Sequence, residues 1–340
     1  MDILIKSFNR PYYLDRCIQS IYLNFQGNDF NIIVLDDGTP QKYLDQLLKK
    51  FPVIKILKSD LYTEKSNAIA NANANADVNI NIPIDLWVKA AENASDYFLL
   101  IEDDFWCTKL FNYTEIISNL NTDKINMLKL CWLGNSKLLP NKSIDVNGEY
   151  SIYSPDLFTQ NSLLFNFVFR FHRFKIRKIV TFLKIYSQER WLEYYTIFAT
   201  SGAIFKKNFF LELWKNHKNS VDEGLQLNNA LKYINKKSKL QLFGFTNSEF
   251  FKTGFLSSAS NQNKQYENVA IDMFAFNKII NEAWFNNAFD SMENYPNDLS
   301  QNKIEELLIA SNHPAASNLE WNKWVQEFKN QYVTFGCNID

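Results

Sequence analysis

The chain has 340 residues, of which 46% are hydrophobic and 21% charged, a balance typical of a soluble globular protein. A chain of this length can bury a substantial core in one large domain or two ordinary ones. Its 36 basic and 37 acidic residues give a net charge of −1, so no overall positive field favours nucleic acid as a partner. With only 9 glycines against 29 phenylalanines, we expect a bulky core and few glycine-built phosphate loops.

Cysteine usage and hydropathy bear on the compartment. The cysteines Cys17, Cys107, Cys131 and Cys337 are scattered, with no CxxC pair and no histidine at ligand spacing, which favours buried thiols in a reducing compartment. The N-terminus becomes polar too quickly for a signal peptide, and no run of about 18 apolar residues could span a membrane. We therefore expect a cytoplasmic protein.

The N-terminal part alternates between strand and helix patterns. Residues 2–7 form an apolar strand, and a helical pattern begins near Pro11, where a first turn tolerates proline. Two further apolar runs, 31–35 and 53–57, flank a helical segment at 41–51. This order predicts a parallel, doubly wound sheet, in which ligands bind beyond the carboxyl ends of the strands.

The later elements follow a low-complexity Asn/Ala run at 66–82, which predicts a polar loop or a frayed helix. A helix at 83–94 then leads into a buried strand at 97–101. Further along, the patterns predict a strand at 126–134, a strand, turn and helix within 199–215, a helix at 222–234, a strand at 239–245 and three helices after residue 271.

The strongest chemical signal is Glu102-Asp103-Asp104, three consecutive acids directly after the strand 97–101. Carboxylates in this place suit Mg²⁺ or Mn²⁺, which take one or two protein carboxylates and complete their coordination with substrate phosphate. The alternative is an acidic surface turn that leads into the next element. The acids therefore indicate a metal site only if other motifs agree with them.

Four motifs occur in a consistent order: SFNRP after the first strand, VLDDGT at the end of the second, LLIEDDF, and later SVDEG. Together they resemble the glycosyltransferases of the GT-A fold. The first two are similar to the large family-2 group, whereas EDD is similar to the inverting N-acetylglucosaminyltransferase I group. The resemblance covers residues 1–260 and implies an α/β fold with a doubly wound, mainly parallel sheet of GT-A type, followed by a C-terminal helical extension.

The resemblance implies roles for the acids of EDD and for the second strand's end. Asp104 would bind the metal directly, and Glu102 and Asp103 would face the ribose and the nucleotide. Either Asp36 or Asp37 would read the nucleobase, with Asp37 preferred by its position after the strand.

The SFNRP segment would contribute to the same nucleotide-sugar site. Arg10 would meet the diphosphate, a role that suits a planar charged fork, although a surface arginine at a helix start is the alternative. Ser7 and Asn9 would complete the contacts of this segment. All three follow directly after the first strand.

The resemblance also implies a general base that takes the proton of the acceptor hydroxyl. In SVDEG, Glu223 is the preferred base and Asp222 the second candidate. The alternative is that both acids only stabilise a helix N-terminus through its dipole. Whether the transfer inverts or retains depends on the geometry around this pair, and inversion is favoured by the resemblance.

The domain organisation is predicted as a transferase domain at 1–262 and a helical extension at 263–340. Within the first, 1–104 would bind the nucleotide-sugar and 105–262 the acceptor. Two features depart from the family pattern: the Asn/Ala run replaces a glycine-containing segment, and no histidine stands at the end of the catalytic part. Residues 250–260 are predicted to form the closing loop.

A basic and aromatic insertion at 160–198 has two interpretations, both centred on residues 165–190. Its aromatic residues could pack on the main domain while Arg and Lys stay solvated. It could instead lie on an anionic membrane surface, which would suit a lipid-linked acceptor. On the second interpretation the protein would be peripheral on the inner face of the membrane.

The sequence therefore predicts a metal-dependent glycosyltransferase that uses Mn²⁺ or Mg²⁺ and a nucleotide-diphospho-sugar, with UDP favoured as the carrier. Its acceptor would be a glycan or a lipid-linked glycan. One alternative is a nucleotidyltransferase on a similar sheet, which should carry a glycine-rich phosphate loop that SFNRP lacks. The other is a non-catalytic, glycan-binding relative.

Overall fold

The computed structural model describes residues 1–27, 29–71, 81–170, 176–236, 241–261, 266 and 268–339, and leaves aside the side chains of 145–147, 176 and 177. The N-terminal part alternates strand and helix as expected from its apolar runs. Its elements are β1 (Asp2–Ser7), α1 (Pro11–Asn24), β2 (Asn31–Asp36), α2 (Gln41–Lys50), β3 (Lys55–Lys58), α3 (Tyr62–Asn71), α4 (Ile84–Asn93) and β4 (Tyr97–Glu102).

The middle of the chain adds shorter strands and helices. They are β5 (Phe105–Cys107), α5 (Tyr113–Asp123), β6 (Ile125–Lys129), β7 (Asp145–Asn147), β8 (Tyr150–Tyr153), α6 (Ser162–Phe165), α7 (Ile176–Phe182), α8 (Gln188–Glu193), β9 (Ala203–Lys206), α9 (Lys207–Leu213), α10 (Glu223–Lys236), β10 (Leu242–Thr246) and β11 (Phe251–Thr253). A π turn (Asn166–Arg170) follows α6, and a 3₁₀ turn (Tyr194–Ile197) follows α8. The C-terminal part consists of α11 (Met273–Phe285), α12 (Gln301–Ser311) and α13 (Asn318–Phe335).

In the described part of the chain, nine strands form one sheet in the order β3-β2-β1-β4-β9-β6-β10-β8-β7. The first four pair in parallel, and β6 and β10 run in the same direction as β4 because β9 pairs antiparallel with both β4 and β6. A separate ribbon pairs β5 with β11. The predicted α/β fold with a mainly parallel sheet and C-terminal helices is therefore confirmed.

Two apolar layers cover the sheet. Ile3 and Ile5 of β1 point into one layer, whereas Leu4 between them points into the other, as strand alternation requires. The first layer contains α1 and also Trp321 of α13, so the helices after residue 262 share their core with the N-terminal strands. The division at residue 262 stays a prediction.

Two predicted strands were placed wrongly at their ends. The third strand is Lys55–Lys58 instead of 53–57, because Val53 lies exposed in the turn before it. The strand predicted at 126–134 ends at Lys129, since Leu133 and Gly134 have positive φ angles and form a turn. The first part of the Asn/Ala run is helical within α3, and 72–80 lie outside the described residues.

Among the helices that the structure describes, none combines the length and the apolar composition needed to cross a bilayer.

Candidate active site

The carboxyl ends of β1, β2 and β4 meet at one edge of the sheet because these strands are parallel neighbours. Ser7 at the end of β1 is level with Asp36 on β2, and Lys6 is level with Glu102 on β4. The motifs SFNRP, DDGT and EDD thus come together at this edge, as the sheet topology predicted.

Arg10 connects the first motif to the third. Asn9 adopts a left-handed conformation with φ 57°, which asparagine tolerates better than most residues, and the chain then turns into α1. At this turn the Arg10 guanidinium donates to Asp103 through Nη2 and to Asp104 Oδ2 through Nη1, the latter at 2.9 Å. The second oxygen of Asp103 accepts from the backbone N–H of Phe8 at 3.2 Å. Both oxygens of Asp103 are therefore engaged within the protein.

Arg10 and Asp103 are buried at this edge, whereas the side chains of Asp104 and Glu102 are 13% and 36% exposed, and burial and ion pairing together set their pKa values. Burial raises the pKa of Asp103 to about 7 and that of Asp104 above its usual range, while Arg10 opposes both shifts. Burial also acts to raise the pKa of Glu102, but the attraction and hydrogen bond of Lys6 outweigh it and lower that pKa. Burial acts to lower the pKa of Arg10, but the attraction of Asp103 and Asp104 outweighs it and raises that pKa, so this side chain stays charged.

Lys6 is a component of this cluster that the sequence reasoning missed. Its Nζ donates to Glu102 Oε1 at 2.6 Å and to the carbonyl of Thr200 at 3.1 Å, and it lies 4.5 Å from the ring centre of Trp87. A lysine directly after the apolar residues Ile3, Leu4 and Ile5 of a buried strand is the signal that could have identified it.

The two aspartates of DDGT have different partners. Asp36 Oδ1 accepts from the backbone N–H groups of Gly38 and Thr39 at 3.0 and 2.8 Å, so Asp36 shapes the turn. Asp37 Oδ2 instead accepts from the buried Lys65 of α3 at 2.5 Å. Burial raises the pKa of Asp36 to about 6, and it also raises that of Asp37, where the hydrogen bond from Lys65 opposes it.

A cavity of about 320 Å³ opens at the same edge. One wall is apolar and is formed by Ile82, Pro83 and Trp87. The charged lining consists of Lys6, Arg10, Asp37, Lys65, Glu102 and Asp103, and Ser7 also contributes. Of the two aspartates in DDGT, only Asp37 lines the cavity, which agrees with the preference for Asp37 over Asp36 as the acid that meets a ligand.

The segment after β11 closes over Arg10. The carbonyl of Ser257 accepts from Arg10 at 3.5 Å, and Ala259 and Ser260 line the cavity. Asn277 of α11 holds this segment by donating to the carbonyl of Ser258 at 2.8 Å. Of the predicted closing loop 250–260, Phe251–Thr253 form β11 and the last residues border the cavity. Closure over a ligand stays a prediction.

The C-terminal helix α11 also supports the SFNRP turn. Asn281 donates to the backbone carbonyl of Asn9 at 3.2 Å, and the N–H of Asn9 donates to Thr39 Oγ1 at 3.0 Å. Asn9 is fully buried and does not line the cavity, so in this structure it shapes the turn that positions Arg10.

The predicted acceptor-side acids lie at the start of α10. Asp222 accepts from the N–H of Leu225 at 3.0 Å and from Arg170 Nη2 at 2.9 Å, so it caps the helix and pairs with the insertion. Glu223 accepts a hydrogen bond from the Tyr195 hydroxyl. Neither acid lines the cavity, although Val221 directly before them does.

Three buried carboxylate oxygens at this edge lack a hydrogen-bond partner among the described residues: Asp36 Oδ2, Asp37 Oδ1 and Asp104 Oδ1. Of these three residues, Asp37 lines the cavity and Asp104 does not. Asp104 Oδ1 is buried and accepts no hydrogen bond from another of the described residues, and such an oxygen suits a hard cation. Among the residues that the structure describes, no group of three or more His, Cys, Asp or Glu converges on one point. A cation here would therefore depend on ligands from a bound substrate.

The family comparison agrees with the motifs at this edge. Residues 2–86, which are about a quarter of the chain, match the family model described as Glycosyl transferase family 2. The matched segment contains β1 to β3, the SFNRP turn and the DDGT turn. This match supports the prediction that the chain is a glycosyltransferase. No curated protein matches the chain.

Solved structures that resemble the chain are distant from it. TarS 1–349 of S. aureus is 9% identical, with 90% of this chain and 68% of that one covered, at a TM-score of 0.42. A longer TarS structure is 10% identical, and the chain spans only 44% of it, at a TM-score of 0.40 with 94% of this chain covered.

A third structure is glucosyl-3-phosphoglycerate synthase from Mycobacterium tuberculosis, in complex with Mn²⁺, UDP-glucose and phosphoglyceric acid. It is 14% identical, with 38% of this chain and 42% of that one covered, at a TM-score of 0.26. At such low TM-scores these likenesses establish no residue-by-residue correspondence with the chain.

Proposed function

We propose that this chain transfers a sugar from a nucleoside-diphospho-sugar, with UDP as the favoured carrier, to a hydroxyl group of a glycan, with inversion at the sugar carbon. The observation that carries the proposal is the ion-paired cluster of Arg10, Asp103 and Asp104 beside the cavity. This cluster occurs in a chain whose N-terminal segment matches glycosyl transferase family 2.

The cavity offers complementary groups for the two ends of a nucleotide. Its apolar wall, with Trp87, provides a surface on which a base can stack, and Asp37 provides a carboxylate acceptor for a base N–H. Arg10 supplies positive charge where a diphosphate would lie, although its two amino groups already bind Asp103 and Asp104. Lys6 lies over the Trp87 ring and therefore adds its charge on the side of the apolar wall.

Asp104 is the residue that would hold Mn²⁺ or Mg²⁺, through the buried oxygen that lacks a protein partner among the described residues. A divalent cation bound there would neutralise the charge of the leaving diphosphate. Arg10 already neutralises part of the carboxylate charge, so the acids stay buried without a ligand. The same guanidinium lines the cavity and can therefore contact a bound diphosphate.

Glu223 is the preferred general base for the acceptor hydroxyl, and Asp222 is the second candidate. The two acids differ in their surroundings: Asp222 is tied to Arg170 and to the helix N-terminus, whereas Glu223 contacts the Tyr195 hydroxyl. Asp222 would have to give up both its helix-capping bond and its ion pair before it could take a substrate proton, which favours Glu223.

The test is UDP release from a panel of UDP-sugars, with Mn²⁺ and a mixture of simple glycosides as acceptors. We expect turnover by the wild type and a loss of about 100-fold or more in Asp104→Asn. Asp45→Asn, which alters an exposed carboxylate on α2, is the matched control and should keep full activity. Full activity of Asp104→Asn would refute the proposed role of that residue, and absence of UDP release from every donor would refute UDP as the carrier.

A further inference from the structure

The insertion presents an unusual number of apolar side chains to solvent. We call the following six residues the insertion surface, with their exposed fractions: Leu163 (79%), Leu164 (44%), Phe167 (50%), Ile179 (56%), Phe182 (85%) and Leu183 (56%). Ile179, Phe182 and Leu183 have i, i+3, i+4 spacing, so they share one face of the α7 segment. Exposed apolar residues gathered in one region indicate a binding surface.

The segments that carry this surface are fixed to the protein and are not loosely attached. Phe165 and Phe169 are buried and pack against Tyr194, with ring centres 4.8 and 5.1 Å apart. Val180 anchors α7 in the same apolar layer. The exposed side chains therefore lie on the outer side of segments whose inner side is already satisfied.

The charge of this region is one-sided, although the chain as a whole is nearly neutral. Residues 157–188 contain six Lys or Arg and no Asp or Glu. Among the described residues, Lys178 and Lys184 are exposed close in sequence to the apolar side chains. Apolar side chains combined with lysines and without acids fit an anionic lipid surface, because lipid tails accept the former and headgroups attract the latter.

The insertion is also tied to the acceptor side of the site. Arg170 donates to Asp222 at 2.9 Å, and Asn166 donates to Asn228 Oδ1 of α10 at 3.0 Å. A surface that docks through the insertion is therefore held close to the start of α10, where Glu223 lies.

We propose that the insertion surface, together with Lys178 and Lys184, docks this chain on an anionic phospholipid bilayer. Resting on the proposed function, this docking assigns the acceptor to the class of membrane-bound glycans, since it brings the start of α10 to the bilayer. The aromatic and aliphatic side chains enter the headgroup boundary, and the lysines remain at the phosphate level.

The test is flotation of the full chain with vesicles of phosphatidylcholine alone or mixed with phosphatidylglycerol. We expect binding to the mixed vesicles, little binding to phosphatidylcholine alone, and weaker binding at high salt. The double variant Phe167→Ser/Phe182→Ser should lower binding by at least about tenfold. Lys178→Glu/Lys184→Glu should lower it by a similar factor.

Matched controls separate the surface from general effects. Ile309→Ser/Leu319→Ser alters two side chains that are each 66% exposed on the C-terminal helices, and it should leave flotation unchanged. Lys55→Glu/Lys109→Glu makes the same charge change at exposed lysines elsewhere. Equal binding to both vesicle types, or equal losses in test and control variants, would overturn the proposal.

The outcome is distinguishable from a failure of the proposed function, because flotation requires neither donor nor metal. Urea unfolding of the same preparations shows that each variant is folded, and calorimetry measures their UDP and Mn²⁺ binding separately. A chain that binds UDP but no vesicle refutes the membrane proposal alone, and one that floats but binds no UDP refutes the transferase proposal alone. If the wild type does not float and self-associates instead, the insertion surface binds a second copy of the chain. That result would overturn the proposal of a bilayer as the partner.

Discussion

The two acidic clusters of this molecule differ in how their charges are accommodated. At the sheet edge, the buried Asp103 and the 13% exposed Asp104 share one buried arginine. At the start of α10, the side chain of Asp222 is 46% exposed and pairs with the partly exposed Arg170. The acids at the sheet edge need their counter-ion for the fold to be stable. The acids at the start of α10 lie nearer to solvent, where a charge costs little free energy and remains available for chemistry.

The largest effect is expected on the rate of sugar transfer, from the acids at the start of α10. Glu223→Gln removes the proposed base but keeps the side chain's size, so we expect UDP release in the presence of acceptor to fall about 10²- to 10⁴-fold. Asp222→Asn should reduce it far less, because Asp222 serves the helix cap and Arg170. Steady-state rates of both variants decide between the acids, and a larger loss in Asp222→Asn would reverse their assignment.

The next largest effect concerns stability at the sheet edge. Arg10→Met leaves two buried carboxylates without their cation, and the free energy of unfolding should fall by about 3–5 kcal/mol. Arg170→Met removes the partner of Asp222 and should cost less than about 1 kcal/mol, because that pair is screened by solvent. Urea unfolding of both variants measures the two losses in free energy of unfolding. Equal losses would contradict the proposed difference between the two ion pairs.

A smaller effect on stability is expected at Gly254, where the segment after β11 packs closely against Tyr13. A Cβ atom at Gly254 would lie 2.4 Å from the Tyr13 hydroxyl, and the N–H of Gly254 donates to the carbonyl of Asp104 at 2.9 Å. Gly254→Ala should therefore destabilise the fold by about 1–3 kcal/mol, measured by thermal or urea unfolding. Unchanged stability would mean that this segment shifts without cost.

The last effect is a dependence of stability on pH, and it comes from Lys129 on the acceptor side. Lys129 is buried and donates to the backbone carbonyl of Tyr195 at 2.6 Å. It thus holds the turn that contains Tyr195, whose side-chain hydroxyl donates to Glu223. Burial lowers the pKa of Lys129 to about 7, from 10.5 for an ordinary lysine. The unfolded chain binds more protons between these values, so the free energy of unfolding should rise with pH there, by up to about 1.4 kcal/mol per pH unit.

The measurement is the difference between the wild type and Lys129→Met in urea unfolding, between about pH 7 and about pH 9. The variant should lack the part of the slope that Lys129 contributes. Lys109→Met, at an exposed lysine, should keep the wild-type slope. Identical slopes for wild type and Lys129→Met would show that Lys129 stays charged in the folded protein.

The sheet edge could be predicted because its determinants are local in sequence. Each motif directly follows an apolar strand, and parallel pairing brings the strand ends together, so Ser7, Asp36 and Glu102 were expected at one edge. Lys65 was not expected, since it lies in a helix without a recognisable motif and reaches Asp37 only through the packing of α3.

The remaining determinants join residues far apart in sequence, and no pattern predicts such pairs. Ser257 contacts Arg10 across more than two hundred residues, and Asn281 reaches Asn9 across a still longer separation. The pairing of Arg10 with both Asp103 and Asp104 also depends on the turn at Asn9, whose left-handed backbone is set by these tertiary contacts. Sequence reasoning expected Arg10 to meet a diphosphate and missed its carboxylate partners.

The most direct test of the central claim is calorimetric titration of UDP into the chain, with and without Mn²⁺. If Asp104 provides the protein's metal ligand beside the cavity, Mn²⁺ should strengthen UDP binding by the wild type and by Asp45→Asn, but not by Asp104→Asn. UDP binding that is unaffected by Mn²⁺ in the wild type, or equally strengthened in Asp104→Asn, would contradict the account.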